Sequence, residues 1–410
     1  MKDENFFISE KAKQINFPKK GILAQAKEAK EKKINATLGE AYDDDGIPFY
    51  LEKIYKDVSL SPHEIFSYGS CYGNLDLRQK WKEFILKKNP SIKTEISLPV
   101  VTSGLTHALS IAAKLFFKEN DELIIPDKFW GNYKLIFEVG NGVKLDCFNS
   151  FTVDGFDLVS LEKKIESKDS ISLLLNFPNN PTGYSLRYDE VENLLSILKK
   201  QAEKNKKIII ICDDAYFGLS YEDDIDRESF FARLCDLHEN ILAVKVDGTT
   251  KEDFAWGLRV GFITFASKRL TDYTFLEDKV AACVRQSISS VSNLSQNLIV
   301  KAFSFPSYEQ DKSEKLALLK KRYKKVKEVI KDEKFIKFFY PLPFNSGYFM
   351  CIKLIDVDSE KLRQHLLQKY DVGVIALNEN LIRIAFSSVP EKEIENLFES
   401  IYQGCLDLSR

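Results

Sequence analysis

The sequence has few of the residues that build metal centres and disulfide frameworks. Its 410 residues include only four histidines and seven cysteines, and the cysteines are scattered without any CxxC spacing. An odd, scattered set of cysteines is not the pattern of a disulfide-stabilised fold. We therefore expect no metal site, no disulfide framework and no histidine-based catalytic triad.

Long apolar runs and a strong net charge are also missing. No stretch reaches the roughly 18 apolar residues of a membrane span, and residues 1–5 are mostly charged or polar, unlike a signal peptide. A net charge of −2 and a pI of ≈ 6.2 exclude bulk attraction to nucleic acid or to anionic membranes. We expect a cytoplasmic protein that binds neither.

What the sequence does have is an alternation of strand and helix patterns from residue 97 onward. Apolar runs predict strands at 122–126, 171–175, 207–212 and 241–246, and helical patterns separate them. This order is typical of an α/β fold with a mostly parallel sheet between helices.

The C-terminal quarter has a different pattern. A long amphipathic stretch at 311–333 predicts a helix that leads into a smaller α+β domain, with strands at 345–349 and 382–386. At this length two domains are expected. The expected division is an N-terminal arm with part of the small domain at 1–60, a large domain at 61–310 and a small domain at 311–410.

A lysine and an arginine lie between two predicted strands. Lys251 follows the strand at 241–246, and Arg259 stands at the start of the next strand, 258–265. An amine can condense with an aldehyde, and a guanidinium can bind a phosphate through two parallel hydrogen bonds, so the pair suits chemistry on an anionic aldehyde. A lysine in such a turn is more often a solvated surface residue. Other residues must decide between the two interpretations.

Two further groups stand where strands end. Asp213 closes the apolar strand at 207–212, where a carboxylate needs a cation or a hydrogen-bond donor, and Tyr216 follows it. Asn180 lies in a loop at 176–183 that two prolines and a glycine make rigid. Because strand ends of a parallel sheet meet at one edge, these residues are candidates for one site.

Three other features have both a structural and a functional interpretation. The helix that begins at Gly104 leaves backbone N–H groups of Leu105 and Thr106 for an anion, but a plain capped helix has the same pattern. Trp130 follows a strand, where its ring packs in the core or stacks on a planar ligand. Arg383 places a cation in an otherwise apolar strand, which is unusual.

In this order the motifs resemble the class I and II, fold type I aminotransferases, which depend on pyridoxal phosphate. The resemblance covers residues 35–390, and the motifs that carry it are Gly104-Leu105-Thr106, Trp130, Asn180, Asp213 with Tyr216, Lys251 with Arg259, and Arg383. It implies a large domain with a mostly parallel seven-stranded sheet, a smaller α+β domain, and a homodimer with shared active sites. It also implies amino transfer between an L-amino acid and a 2-oxoacid.

The resemblance implies a role for each residue near the cofactor ring. Lys251 would form the Schiff base and then carry the proton, and Asp213 would keep the pyridine nitrogen protonated. Asn180 and Tyr216 would donate hydrogen bonds to the phenolic oxygen of the ring. Trp130 would stack on the ring.

The resemblance also implies the residues around the phosphate and the substrate. The phosphate would be held by Gly104, Leu105, Thr106, Arg259 and, from the neighbouring subunit, Tyr68. The substrate would meet Arg383 at its α-carboxylate, Gly39 above it, and Arg285 of the other subunit at a side-chain carboxylate.

The sequence departs from the family pattern at Gly248, at Phe254, which is bulkier than the usual residue, and in the short turn at 43–46. Gly248 stands three residues before Lys251, where many members have a serine, so a phosphate hydroxyl must come from Thr249 or Thr250 or be absent. Two alternatives keep the same cofactor residues: a lyase, of the C–S lyase or cyclopropane-synthase type, and a cofactor-binding sensor without turnover.

Overall fold

The computed structural model describes residues 7, 9–15, 21–56, 58–153 and 155–409. The elements before the first strand of the main sheet are mostly short. They are α1 (Glu10–Lys13), α2 (Ile22–Glu28), β1 (Ile34–Asn35), α3 (Glu52–Lys56), α4 (Pro62–Phe66) and α5 (Leu75–Lys88).

A seven-stranded sheet occupies the centre of the large domain. Its strands are β2 (Val100–Thr102), β3 (Glu122–Pro126), β4 (Lys144–Phe148), β5 (Ser170–Asn176), β6 (Lys207–Asp213), β7 (Ile241–Gly248) and β8 (Gly261–Ala266). Their order is β2-β8-β7-β6-β5-β3-β4, and β8 runs antiparallel to both of its neighbours. The other pairs are parallel, so the predicted mostly parallel, seven-stranded sheet is confirmed.

Helices cover both faces of this sheet. They include α6 (Gly104–Phe116), α7 (Leu158–Glu166), α8 (Tyr188–Glu203), α9 (Phe230–Leu234), α10 (Thr249–Glu252), α11 (Thr274–Ile288) and α12 (Asn293–Phe303). Strand β6 shows why two layers are needed, because its side chains are apolar on both faces. Ile209 and Ile211 belong to one buried cluster, and Ile208, Ile210 and Cys212 belong to the other.

A four-stranded antiparallel sheet forms the smaller α+β domain. Its order is β12-β13-β10-β9. The C-terminal elements are α13 (Tyr308–Val329), β9 (Phe339–Pro341), β10 (Phe349–Leu354), α14 (Ser359–His365), β11 (Val372–Gly373), β12 (Ile375–Asn378), β13 (Leu381–Ala385) and α15 (Ile394–Leu408). Strand β1 pairs in parallel with β11, which joins the N-terminal segment to this region.

Some element boundaries differ from the sequence prediction. The strand expected at 258–265 begins at Gly261, because Arg259 adopts a left-handed backbone (φ 53°) that no strand contains. The strand expected at 345–349 begins at Phe349, and the long helix runs from Tyr308 to Val329. This helix crosses residue 310. The domain boundaries at 60 and 310 stay a prediction. Arg285 lies in the last turn of α11.

Among the described residues, every helix is too short or too polar to cross a bilayer. Within the same residues, no group of three or more histidine, cysteine, aspartate or glutamate side chains is placed to hold a metal ion.

Candidate active site

A cavity of ≈ 550 Å³ brings together most of the candidate residues. The candidates on its wall are Gly39, Leu105, Thr106, Trp130, Asn180, Asp213, Tyr216, Lys251, Arg259 and Arg383. They come from stretches more than 300 residues apart in the sequence. Strand topology explains part of this, since β6 and β7 are parallel neighbours whose carboxyl ends lead to Asp213 and Lys251.

The amine of Lys251 has an unusual electrostatic environment. Lys251 lies in α10, the single helical turn that follows β7. Burial lowers the pKa of its amine to about 8, with a further lowering by Arg259 and an opposing effect of Asp213. Its Nζ lies 5.1 Å from the ring centroid of Tyr216. Because of the lowered pKa, far more of the amine is uncharged near neutral pH than in an exposed lysine.

Asp213 is a buried carboxylate held by hydrogen bonds. It is 3% exposed, and burial raises its pKa. The Tyr133 hydroxyl donates to Oδ2 at 2.6 Å, and the backbone N–H of Ala215 donates to Oδ1 at 3.0 Å. These bonds, together with the charge of Lys251, favour the ionised form and oppose the effect of burial. Sequence reasoning missed Tyr133; its position three residues after Trp130 was the available signal.

Tyr216 and Asn180 form another wall of the cavity. Tyr216 is 4% exposed, and burial raises the pKa of its hydroxyl, so the group stays a proton donor. The backbone N–H of Asn180 donates to the Asn176 side chain at 2.8 Å, which fixes the loop. Gly183 ends that loop with φ 72°, and a Cβ there would lie 1.9 Å from the carbonyl oxygen of Phe349. Only glycine allows this close approach.

Arg383 is a buried cation without a carboxylate partner among the described residues. Its Nη2 donates to the Thr37 carbonyl at 2.8 Å, and its Nη1 donates weakly to the Asn180 Oδ1 at 3.4 Å. The guanidinium also lies 4.4 Å from the ring centroid of Phe349. Its Nε has no hydrogen-bond partner. Since an unpaired buried charge is costly, binding of an anion to this guanidinium is favourable.

The opposite end of the cavity is also rich in donors. Gly104 has φ 74°, and a Cβ there would lie 2.4 Å from Nη2 of Arg259. The Thr250 hydroxyl and the Trp256 indole N–H are buried and have no hydrogen-bond partner. Both residues line the cavity. Thr249, the other hydroxyl considered, is directed at the Val260 carbonyl at 3.4 Å, so Thr250 is the hydroxyl available to a phosphate.

Tyr68 and Arg285 are not on the cavity wall. Tyr68 is 93% exposed, and Arg285 is exposed on α11. Both belong to one surface, because the segment after Tyr68 packs against α11: Tyr72 donates to Asp278 at 2.7 Å, and the Cys71 thiol donates to the Ser289 carbonyl at 3.3 Å.

Comparison with known proteins decides the family. Residues 31–401 match the family model described as aminotransferase class I and II. The chain belongs to this family. An aspartate aminotransferase of Sulfurisphaera tokodaii is 29% identical over 68% of this chain and 66% of its own length.

Solved structures agree with this assignment. An aminotransferase from Anaerococcus prevotii superposes with a TM-score of 0.85 at 27% identity, covering 98% of this chain and 100% of that one. A Pyrococcus horikoshii kynurenine aminotransferase, solved in complex with PMP, shares the fold with a TM-score of 0.82 at 16% identity, covering 99% and 98%. The protein is thus an aminotransferase of fold type I. It uses pyridoxal 5′-phosphate and moves an amino group between an amino acid and a 2-oxoacid.

The residues of this aminotransferase fit the cofactor. Three buried donors without partners line the cavity, at Thr250, Trp256 and Arg383, and each suits an anionic oxygen. The cofactor carries a phosphate, and the substrate carries a carboxylate. The same cavity is lined by a buried carboxylate, Asp213, and by an amine of lowered pKa, Lys251, which are the types of group that would suit the ring nitrogen and the aldehyde of the cofactor.

Proposed function

We propose that Lys251 is the reacting amine of this aminotransferase and that Asp213 is the partner of the pyridine nitrogen. The observation that carries this proposal is the placement of an amine of lowered pKa and a buried, hydrogen-bonded carboxylate on the wall of one cavity. Pyridoxal phosphate supplies an aldehyde for the amine and a ring that accepts the electrons left when the α-proton departs. Lys251, as a free base, would take that proton from the α-carbon and deliver it to C4′ of the cofactor.

The other residues hold the ring in place in this proposal. Asn180 and Tyr216 donate hydrogen bonds to the phenolic oxygen, and both are buried at the cavity wall. Trp130 stacks on the ring; its own ring meets Tyr133 edge-on, at 5.5 Å and 85°, which fixes its plane. Tyr133 thereby orients both the stacking ring and the Asp213 carboxylate.

The phosphate end uses both backbone and side-chain donors. The N–H groups of Leu105 and Thr106 open helix α6, Arg259 contributes the positive charge, and Gly104 lets the guanidinium lie against the helix start. Thr250 replaces the hydroxyl that Gly248 cannot provide. Hydrogen bonds to a charged phosphate are stronger than hydrogen bonds between neutral groups, so this set of donors would hold the phosphate firmly.

Arg383 takes the substrate α-carboxylate in this proposal, and Gly39 lies at the cavity rim above it. We expect Arg383→Lys to raise KM for the amino acid and to lower kcat/KM by about 10²-fold, because an ammonium cannot form the bidentate pair. Steady-state kinetics with a good substrate measure both parameters. An unchanged KM would remove Arg383 from the substrate site.

We also propose a homodimer with shared sites. Large apolar side chains are exposed on or near the surface that carries Tyr68 and Arg285: Phe66 83%, Leu75 55%, Phe275 54% and Ile288 41%. Single exposed apolar side chains are normal on a monomer, but several of them near one surface favour an interface there. In a dimer of this kind Tyr68 would reach the phosphate of the partner's cofactor, and Arg285 would reach its substrate.

If Arg285 binds a side-chain carboxylate across the dimer, the enzyme prefers aspartate or glutamate. Arg285→Ala should then lower kcat/KM for aspartate by about 10-fold or more and leave alanine unaffected, because only aspartate loses an ion pair. The ratio of the two kcat/KM values is the measurement. Similar values for both amino acids in the wild type, unaltered in the variant, would contradict this role.

The reaction has a direct spectroscopic test. A spectral screen of the holoenzyme against the twenty amino acids should show conversion of the cofactor to its amine form with at least one of them, and a ketoacid should reverse it. Release of ammonia without ketoacid dependence would favour a lyase instead.

For location we propose the cytoplasm, since all seven cysteines are free thiols, as in a reducing compartment.

A further inference from the structure

A buried ionic cluster lies directly behind Lys251. Glu252 and Asp253, the next two residues, pair with Lys312 at 3.2 Å and 2.9 Å, and Glu252 also pairs with Lys88. The Tyr308 hydroxyl donates to Asp253. Lys312 is 6% exposed and Asp253 is fully buried, so these are interior ion pairs rather than surface ones.

The cluster matters because the single helical turn that carries Lys251 needs contacts with other elements to be stable. Helix α10 is four residues long, and an isolated single turn is unstable. Its backbone contacts to the rest of the protein include the Tyr348 hydroxyl, which donates to the Lys251 carbonyl at 3.1 Å. The carboxylates of Glu252 and Asp253 pair with Lys312, whereas the amine of Lys251 is on the cavity wall with Asp213 and Arg259. The two acidic side chains therefore anchor the back of the turn while the amine enters the cavity.

The anchor belongs to helix α13. Tyr308 and Lys312 are one turn apart at the start of that helix. Ten residues further, at about 15 Å, Arg322 donates to the carbonyl of Ser387 and, at 2.8 Å, to Asp44. Ser387 in turn donates to the carbonyl of Glu40 at 3.0 Å. The same rigid helix thus contacts both the turn of Lys251 and the segment next to Gly39 and Arg383.

We propose that Lys312 is a positioning residue for Lys251: through Glu252 and Asp253 it fixes the α10 turn to helix α13, and so sets where the amine stands relative to the substrate end of the cavity. This inference rests on the proposed role of Lys251. It gives α13 a function in the reaction as a strut between the two halves of the site.

The test compares three variants in the full-length protein. Lys312→Met removes the ammonium that pairs with Glu252 and Asp253 and leaves Asp253 buried with only the Tyr308 hydrogen bond. The double variant Asp253→Asn/Lys312→Met removes the same ion pairs without leaving a buried negative charge, and residue 253 can still accept from Tyr308. Lys324→Met, at an exposed lysine of the same helix, is the matched control. The readouts are the melting temperature, the rate at which the apoprotein condenses with added pyridoxal phosphate at Lys251, and the single-turnover rate with an amino acid.

We expect condensation and single-turnover rates to fall by about 10-fold or more in Lys312→Met, as displacement of a reacting group by an ångström produces. The double variant should recover melting temperature but not the rates, and Lys324→Met should match the wild type. If the rates return to wild-type values with the melting temperature, or never fall, Lys312 only stabilises the fold and the inference is wrong. If Lys312→Met does not fold, the double variant decides alone. A wild type that never condenses at Lys251 would instead overturn the proposed function.

Discussion

The Lys251→Ala variant is expected to bind pyridoxal phosphate without covalent attachment and to lose kcat by about 10⁴-fold or more. Lys251 contributes twice in the proposed reaction, first as the amine that holds the aldehyde and then as the base at the α-carbon. Its lowered pKa of about 8 is what makes both uses possible near neutral pH. The donors around the phosphate remain in the variant, so the cofactor is still retained.

Borohydride reduction followed by peptide mass spectrometry tests the attachment, and steady-state kinetics test the rate. A labelled peptide that contains residue 251 is expected in the wild type and not in the variant. The matched control is Lys324→Ala, at an exposed lysine of α13, which should keep both properties. Label on another lysine, or turnover preserved in the variant, would exclude Lys251 from the chemistry.

The second large effect is expected at Asp213. Asp213→Asn keeps the shape of the side chain and can still accept from the Tyr133 hydroxyl, but it removes the negative charge. The pyridine nitrogen then loses the partner that keeps it protonated, and we expect kcat to fall by about 10²- to 10³-fold. The charge of Asp213 also raises the pKa of Lys251. Removal of this charge should lower the pKa of Lys251 from about 8 to a smaller value. The amine of the apoprotein should then become reactive at lower pH.

The two consequences can be measured separately. The kcat value measures the effect of losing the partner of the pyridine nitrogen. The pH dependence of condensation between the apoprotein and pyridoxal phosphate measures the change in the pKa of the Lys251 amine. Asp213→Glu is the control that keeps the charge, so its pH midpoint should move less than that of the amide. A midpoint that moves upward in Asp213→Asn would contradict the proposed electrostatic coupling.

The central strands and the site residues at their ends could be predicted because their causes are local. A run such as 207–212 is apolar on both faces, which indicates a buried parallel strand with a layer on each side. Parallel strands end at one edge, so Asp213 and Lys251 were expected near each other. The family motifs then supplied the order of the remaining candidates.

Other parts of the site depend on contacts that no local pattern contains. The bond from Arg383 to the Thr37 carbonyl joins residues 346 positions apart. Tyr133 resembles any core tyrosine until β6 places Asp213 beside it. The hydrophobic alternation of residues 258–265 predicts one continuous strand. The left-handed backbone of Arg259 interrupts it, and a backbone conformation at one residue leaves no trace in the hydrophobic pattern. The roles of Tyr68 and Arg285 depend on a second chain.

The contacts of Gly183 would constrain any rotation of the C-terminal sheet relative to the main sheet. The Gly183 carbonyl accepts the backbone N–H groups of Asn345 and Ser346, at 2.9 and 2.8 Å, just before the strand that begins at Phe349. A rotation of the C-terminal sheet away from the main sheet would break these bonds unless its axis passed beside them. The hinge would then lie next to Asn180, so that the ring end of the cavity stays still while the end that receives the substrate swings open.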